Sequence, residues 1–120
     1  MLVDDDPDTL FTYKSFLSSC EGYTVEAFTD SNEALKHFAK VDPSYFDLVI
    51  SDIRMPNLNG LQLYYRLTAI NMAIKVLFVS ALDAIEELVS VLPSINYNNI
   101  VRKPVEKEYF INKIRSVLLV

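Results

Sequence analysis

The sequence has little of several residue types, and each shortage excludes a class of protein. Its 120 residues contain one cysteine, two glycines, five prolines and no tryptophan. A single cysteine, Cys20, can form neither an internal disulfide nor a cysteine-based metal site, so we expect a half-buried thiol in the core. The low glycine and proline content excludes collagen-like and low-complexity chains.

Basic residues and long apolar runs are also scarce. Eleven Lys and Arg residues stand against sixteen Asp and Glu residues, and the resulting net charge of −5 does not favour direct contact with nucleic acid or an anionic membrane. No apolar run approaches the ~18 residues that a membrane span needs. The chain turns acidic directly after Val3, where a signal peptide would be apolar. We therefore predict a cytoplasmic protein.

Hydrophobic periodicity is abundant. Short continuous apolar runs alternate with segments of helical spacing, a pattern typical of βα units around a parallel sheet that is covered on both faces. The prediction is one domain over residues 1–120 in the α/β class: a doubly wound, flavodoxin-like sheet of five parallel strands in the order 2-1-3-4-5, with helices on both faces. The predicted strands are 1–3, 23–28, 48–50, 74–79 and 99–102, and the helices are 7–20, 31–40, 60–71, 84–92 and 106 onward.

The helices carry their own local signals. Asp6 before Pro7 predicts an N-cap, and Asp30 with Glu33 has capping-box spacing. On the first helix the predicted inward stripe is formed by Leu10, Phe16, Leu17 and Cys20. His37, on the second helix, has no evident polar partner, so we expect a solvated residue rather than a metal ligand or a phosphohistidine.

Polar side chains follow four of the predicted strands. They are Asp4, Asp5 and Asp6 after the first strand, Asp52 after the third, Ser80 after the fourth and Lys103 after the fifth. Strands one and three are neighbours in the predicted order, so Asp4 and Asp5 should face Asp52. Carboxylates that close together either raise a pKa strongly or bind a cation, and an all-oxygen donor set favours Mg²⁺.

This constellation suits a carboxylate that attacks phosphorus. Asp52 is the candidate nucleophile, because carboxylates form aspartyl-phosphate intermediates. Lys103 and Ser80 would neutralise and orient the equatorial oxygens of the phosphoryl group. Two simpler interpretations stay open: Asp6 can serve only as a helix cap, and Asp52 can be a turn former before Met55.

Four segments together resemble the receiver domain of response regulators, the phospho-acceptor half of two-component signalling. They are residues 2–7 (LVDDDP), 47–60 (DLVISDIRMPNLNG), 79–81 (VSA) and 102–104 (RKP). Each segment alone is a weak signal, but all four occur in the family's order and spacing, and the resemblance covers essentially the whole chain.

The resemblance implies a role for each matched residue. Asp52 would accept a phosphoryl group from the phosphohistidine of a sensor histidine kinase or phosphotransfer protein. Mg²⁺ would be held directly by Asp5 and Asp52, through water by Asp4, and by the backbone carbonyl of Arg54.

The other matched residues would contact and read the phosphoryl group. Ser80 and Lys103 would contact its oxygens, small Ala81 would leave room for it, and the Lys103–Pro104 bond would be cis. Ser80 would move toward the phosphoryl group and repack the face of helix four, strand five and helix five. That face would regulate an output protein, a fused effector domain or a phosphorylation-dependent homodimer.

Two departures from the family pattern qualify this reading. Ile100 stands where the family usually has an aromatic switch residue, so either the switch is muted or Ser80 carries it, and Tyr97 is a candidate substitute. The sequence ends at Val120 without a stop signal, which suggests excision from a longer regulator.

Three rival functions stand beside the receiver domain. One is a degenerate receiver that serves only as an interaction module. A phosphatase of the dehalogenase type needs Asp-x-Asp, but Arg54 stands two residues after Asp52. A flavodoxin-type module needs a hydroxyl- and glycine-rich loop after the first strand, and this chain has aspartates there.

Overall fold

Five short apolar runs form a parallel sheet, and five amphipathic segments form helices that cover it. The structure, a computed structural model, describes residues 1–20 and 22–119, without the side chain of Tyr97. The strands are β1 Leu2–Val3, β2 Ala27–Phe28, β3 Leu48–Ser51, β4 Lys75–Ser80 and β5 Ile100–Arg102. The helices are α1 Pro7–Ser18, α2 Ser31–Lys40, α3 Gly60–Ile70, α4 Leu82–Val91 and α5 Lys107–Leu118, and a 3₁₀ turn spans Tyr97–Asn99.

The sheet has the predicted topology. All neighbouring strands are parallel, and their order is β2-β1-β3-β4-β5. Val3 of β1 lies opposite Ser51 of β3, so the two strands end at the same level. The residues that follow them, Asp4 and Asp52, are therefore placed side by side at the carboxyl edge of the sheet.

Alternate residues of the central strands enter two separate cores. Val49 of β3 and Phe78 of β4 belong to the core on one face, whereas Ile50 and Leu77 belong to the core on the other. This two-sided burial explains why these strands are continuous apolar runs in the sequence. The first core includes side chains from α2, α3 and α4, and the second includes side chains from α1 and α5.

Several predicted boundaries differ from the structure. The strand predicted over 23–28 is confined to Ala27–Phe28, which pair with the two residues of β1 at the sheet edge. Helix α1 ends at Ser18, and the hydroxyl groups of Ser18 and Ser19 donate to carbonyls of its last turn. Helix α4 begins at Leu82, two residues earlier than predicted, because the carbonyl of Ala81 already accepts from the Ile85 amide.

The capping predictions are confirmed in part. Asp6 accepts from the Asp8 amide at 3.0 Å, as expected for an N-cap. Asp30 also caps its helix, but through the Asn32 amide at 2.9 Å, while Glu33 pairs with Lys36. The reciprocal capping box occurs instead at α3, between Asn59 and Gln62.

The inward stripe of α1 is partly different from the prediction. Its buried residues are Leu10, Tyr13 and Leu17. Phe16 is only partly buried against the core, and Cys20 has the half-buried thiol that we expected. Tyr13 belongs to the stripe because it lies three residues after Leu10 and four before Leu17, and Cys20 lies outside it because the helix ends at Ser18.

The expectation for His37 is wrong in one respect: this partly exposed residue of α2 does have a polar partner. Its Nε2 lies 3.0 Å from Glu26 Oε1, and its ring packs against Phe28 and Phe46. Glu26 immediately precedes the edge strand β2, so only the packing of α2 on the sheet brings the two residues together. Within the described part of the chain, no helix has the length and apolarity to cross a bilayer.

Candidate functional site

Three carboxylates meet at the carboxyl edge of the sheet. Asp4 follows β1 and is 2% exposed, Asp52 follows β3 and is 9% exposed, and Asp5 is exposed to solvent. One carboxylate oxygen from each residue lies within 4.8 Å of the others. The predicted cluster is therefore present, with two members buried and the third at the surface.

The Asp52 side chain is held by three donors. Its Oδ1 accepts from the Ile53 amide at 2.7 Å and from the Ser80 hydroxyl, and its Oδ2 accepts from Lys103 Nζ at 3.0 Å. These donors come from the ends of β3, β4 and β5, so the sheet itself fixes the orientation of the carboxylate. Such preorganisation is what a reacting or ligating group requires.

Lys103 bridges the two buried carboxylates. Its Nζ lies 2.9 Å from Asp4 Oδ2 as well as 3.0 Å from Asp52 Oδ2. Burial alone would lower the pKa of Lys103, but its hydrogen bonds to Asp4 and Asp52 outweigh burial and raise that pKa. Burial also raises the pKa of Asp4, although hydrogen bonds from the Asp6 amide and Lys103 oppose the shift.

The site suits a hard divalent cation. One ammonium group does not balance the three carboxylates, so the cluster keeps an excess of negative charge. Among the described residues, the clustered donors are all carboxylate oxygens, without imidazole or thiolate. Mg²⁺ prefers oxygen ligands of this kind and is often bound by one or two carboxylates together with water.

The comparisons with known proteins agree with this geometry. The family model described as the response regulator receiver domain matches residues 1–115. The chain belongs to this family. The resemblance drawn from the four sequence segments is thereby confirmed.

This receiver domain is similar to parts of longer regulators. It is 31% identical over 118 residues to the transcriptional regulatory protein TrcR of Mycobacterium tuberculosis, covering 98% of this chain and 44% of TrcR. It is 30% identical over 118 residues to the response regulator MprA of Mycobacterium leprae, covering 98% of this chain and 50% of MprA. The chain thus spans half or less of the length of these relatives.

Solved structures share the fold at lower identity. A response regulator receiver domain from Clostridium thermocellum has a TM-score of 0.81 and 22% identity, and the match covers 98% of this chain and 91% of that one. A chain of the CheX-CheY-BeF3-Mg complex from Borrelia burgdorferi has a TM-score of 0.82 and 22% identity, with 97% and 85% covered.

The remaining predicted residues of the receiver domain lie on or next to β4 and β5. Ala81 is exposed and precedes α4, and the Lys103–Pro104 peptide bond is cis, as predicted. Ile100 pairs with Phe78 across the sheet and is partly buried against the core. The side chain of Tyr97, the candidate substitute for the aromatic switch, lies outside the described part of the chain.

The loop after Asp52 is braced by residues that the sequence reading did not assign to the site. The Gly60 amide donates to the Ile53 carbonyl at 2.7 Å, and the buried Ser31 hydroxyl donates to the Leu58 carbonyl. Asn57 has a φ of 67°, in the left-handed region. The sequence contained one signal for this turn, the asparagine itself, because asparagine adopts the left-handed conformation more readily than most residues.

The side chain of Arg54 was also missed. Its Nη1 donates to Asp83 Oδ2 and its Nη2 lies 3.1 Å from Glu87 Oε1, both on α4. The hydrogen bond to Asp83, followed by the one to Glu87, raises the pKa of Arg54, and the same contact lowers the pKa of Asp83. The prediction from the sequence included only the backbone carbonyl of Arg54 in the site.

Proposed function

We propose that the receiver domain accepts a phosphoryl group on Asp52 from the phosphohistidine of a sensor histidine kinase or phosphotransfer protein in the cytoplasm. The observation that supports this most directly is the setting of the Asp52 carboxylate. It lies between the Lys103 ammonium group and the Ser80 hydroxyl and beside two further carboxylates. A helix cap or a turn former would not need this set of partners.

The transfer is a displacement at phosphorus. A carboxylate oxygen of Asp52 forms the new P–O bond while the P–N bond to the histidine breaks, and the leaving electron pair stays on the imidazole nitrogen. The Lys103 ammonium group and the Ser80 hydroxyl stabilise the charge on the equatorial oxygens. The chain acts as a phospho-acceptor that assists its own phosphorylation and dephosphorylation, not as an enzyme with a separate substrate.

Mg²⁺ is the proposed cofactor. Asp5 and Asp52 would bind it directly, Asp4 through water and Arg54 through its backbone carbonyl. The ion would neutralise the negative charge shared between the acceptor carboxylate and the phosphoryl oxygens. Lys103 and Ser80 would then contact the other phosphoryl oxygens, each of which can accept further hydrogen bonds.

The output of the proposed reaction is a change at the face of α4, β5 and α5. Ser80 ends β4, and α4 begins two residues later, so a movement of the Ser80 hydroxyl toward the phosphoryl group reaches the start of α4. The helices α4 and α5 carry the exposed apolar side chains Leu82, Val91 and Tyr109. An output protein, a fused effector domain or a second copy of the chain would dock there, and the coverage of TrcR and MprA supports a longer regulator.

The test is phosphorylation by a small donor. The protein is incubated with Mg²⁺ and acetyl phosphate and examined by intact-mass spectrometry, and we expect the gain of one phosphoryl group. Asp52→Asn should abolish the gain. Asp8→Asn, an exposed residue at the same edge of the fold, should retain it.

Two results would contradict the proposal. One is the absence of any gain in the wild-type protein, and the other is an undiminished gain in Asp52→Asn. A wild-type protein that takes up neither phosphoryl nor Mg²⁺ would be a degenerate receiver that acts only as an interaction module. Calorimetric titration with Mg²⁺ distinguishes a competent receiver from a degenerate one, since a competent site must bind the ion.

A further inference from the structure

The guanidinium group of Arg54 ties the loop after β3 to helix α4. One of its nitrogens donates to Asp83, and the other pairs with Glu87 at 3.1 Å. Asp83 and Glu87 are four residues apart, so both carboxylates lie on one face of α4. The contact is therefore a two-point bridge between two elements that are far apart in the sequence.

Both ends of this bridge adjoin the groups that hold Asp52. Arg54 follows Ile53, whose amide donates to Asp52 Oδ1. Asp83 comes three residues after Ser80, whose hydroxyl donates to the same oxygen. The bridge thus connects the two chain segments that meet at Asp52 Oδ1, so a change at that carboxylate would act on groups next to both of its ends.

The strength of the bridge suits a contact that opens and closes. Arg54, Asp83 and Glu87 are all exposed, and exposed ion pairs contribute little because water and salt screen them. A phosphoryl group on Asp52 would bring close to two negative charges, and arginine binds phosphate oxygens through two parallel hydrogen bonds. Two residues of chain span at most about 7 Å, so Arg54 stays near the acceptor.

At position 100, where the family usually has an aromatic switch residue, this protein has no polar side chain that could compete with Arg54 for the phosphoryl group. Ile100 is an aliphatic residue packed against the core, and a phosphoryl group cannot attract it. Arg54, in contrast, carries a positive charge on an exposed side chain that already contacts α4.

Building on the proposed function, we propose that Arg54 is a latch that phosphorylation opens. In the unphosphorylated protein its guanidinium group holds α4 through Asp83 and Glu87. When Asp52 is phosphorylated, the guanidinium group exchanges these carboxylates for phosphoryl oxygens, and α4 is released from the loop. The exchange breaks no covalent bond and needs no further reactant.

The test removes the two partners of Arg54 on α4, because these carboxylates lie outside the group of residues that contact Asp52. The double variant Asp83→Asn/Glu87→Gln is compared with Glu86→Gln, which removes one neighbouring charge from the same exposed helix. The initial rate of phosphorylation by acetyl phosphate with Mg²⁺ is measured by intact mass. We expect the double variant to react roughly three-fold faster than Glu86→Gln, which corresponds to about 0.7 kcal/mol at 1.4 kcal/mol per tenfold change.

The dependence of the rate ratio on salt concentration is a second measurement. A purely structural role of Asp83 and Glu87 would not make that ratio depend on salt. Because salt screens exposed charges, the three-fold ratio should shrink toward one as NaCl is raised. Thermal unfolding of each variant checks that all are folded. In the wild-type protein, the NMR signal of the Arg54 side-chain Nε–H, assigned by its loss in Arg54→Lys, should shift when beryllofluoride and Mg²⁺ are added.

The outcomes separate this proposal from the function on which it rests. If neither the wild-type protein nor Glu86→Gln is phosphorylated, the proposed function is wrong. If both are phosphorylated but the double variant reacts at the same rate or more slowly, the latch is wrong. An Arg54 signal that stays in place with beryllofluoride would also overturn the latch.

Discussion

Gly60 lies directly against the backbone of Asp52. A Cβ atom on Gly60 would lie 2.7 Å from Ile53 Cα and closer still to the carbonyl oxygen of Asp52. The Gly60 amide also donates to the Ile53 carbonyl at 2.7 Å. The start of α3 is therefore pressed against the peptide unit that follows the proposed acceptor, and only glycine permits this approach.

We expect Gly60→Ala to destabilise the protein. Alanine favours helix formation, but its methyl group would force the loop after Asp52 away from α3, at a cost of about 1–3 kcal/mol. Urea denaturation measures the change in the free energy of unfolding. The same shift should slow phosphorylation of Asp52 under conditions where the variant is fully folded.

Gly22→Ala is the comparison for Gly60→Ala. Gly22 has a φ of +88° and nothing within 4 Å of an added Cβ, so alanine there is strained but collides with no neighbour. It should cost about 1–2 kcal/mol and leave the phosphorylation rate unchanged. Equal rates in the two variants would show that the contact between Gly60 and Asp52 does not shape the site.

We expect Mg²⁺ to raise the melting temperature. The carboxylates of Asp4, Asp5 and Asp52 repel one another, and an ion that binds only the folded state stabilises it by about 1.4 kcal/mol at ten times its dissociation constant. That corresponds to a shift of several degrees for a domain of this size. Asp5→Asn should reduce the shift and exposed Asp8→Asn should not, whereas an unchanged melting temperature at millimolar Mg²⁺ would contradict the metal site.

Lys103→Met should destabilise the metal-free protein. The substitution leaves Asp4 and Asp52 buried without their shared cation, and breaking a buried pair in this way is strongly unfavourable. Lys103 is partly exposed, so we expect a loss of about 2 kcal/mol in urea denaturation at pH 7, below the roughly 3–5 kcal/mol that fully buried pairs lose. Mg²⁺ should recover part of the loss, because it supplies positive charge to the same carboxylates.

Lys107→Met is the control for Lys103→Met. Lys107 is exposed in the first turn of α5, and we expect a change within about 0.5 kcal/mol. Equal losses in the two variants, or a larger loss for Lys103→Met in the presence of Mg²⁺, would show that Lys103 does not balance the charge of the cluster.

The sequence was sufficient to predict the sheet and the side chains that meet at its carboxyl edge. Asp4, Asp52, Ser80 and Lys103 each lie immediately after or at the end of an apolar run, so predicting the runs and their order also predicted which side chains meet. The central strands were placed within a residue or two, because burial on both faces makes them continuous apolar runs. At the edge of the sheet, where β2 pairs only with β1, the pattern was weaker and the strand was predicted too long.

Contacts between elements could not be predicted in this way. The pair of His37 with Glu26 and the pair of Arg54 with Asp83 depend on how helices sit on the sheet and on one another. Hydrophobic periodicity fixes which face of a helix is buried, but it does not determine which exposed side chains come within 4 Å. The close approach of Gly60 to Asp52 could not be predicted either. The sequence shows a glycine at the start of a helix, but it does not show which backbone lies beside that glycine.

Tyr13 lies on the opposite face of the sheet from α4. Its ring stacks on Phe110 with centroids 4.7 Å apart, and burial raises the pKa of its hydroxyl group to about 12. Between pH 10 and 12 the unfolded protein therefore loses this proton while the folded protein keeps it. The folded state binds more protons in that range, so its stability falls as the pH rises.

Tyr13→Phe should flatten this dependence on pH. Phenylalanine keeps the stacking on Phe110 and has no proton to lose, so the variant should lack a slope of up to ~1.4 kcal/mol per pH unit that the wild-type protein shows above pH 10. Urea denaturation at several pH values from 9 to 11 measures both slopes. Tyr109→Phe, at an exposed position on α5, serves as the control and should keep the wild-type slope. Identical slopes in wild type and Tyr13→Phe would mean that the Tyr13 hydroxyl ionises as easily in the folded protein as in the unfolded chain.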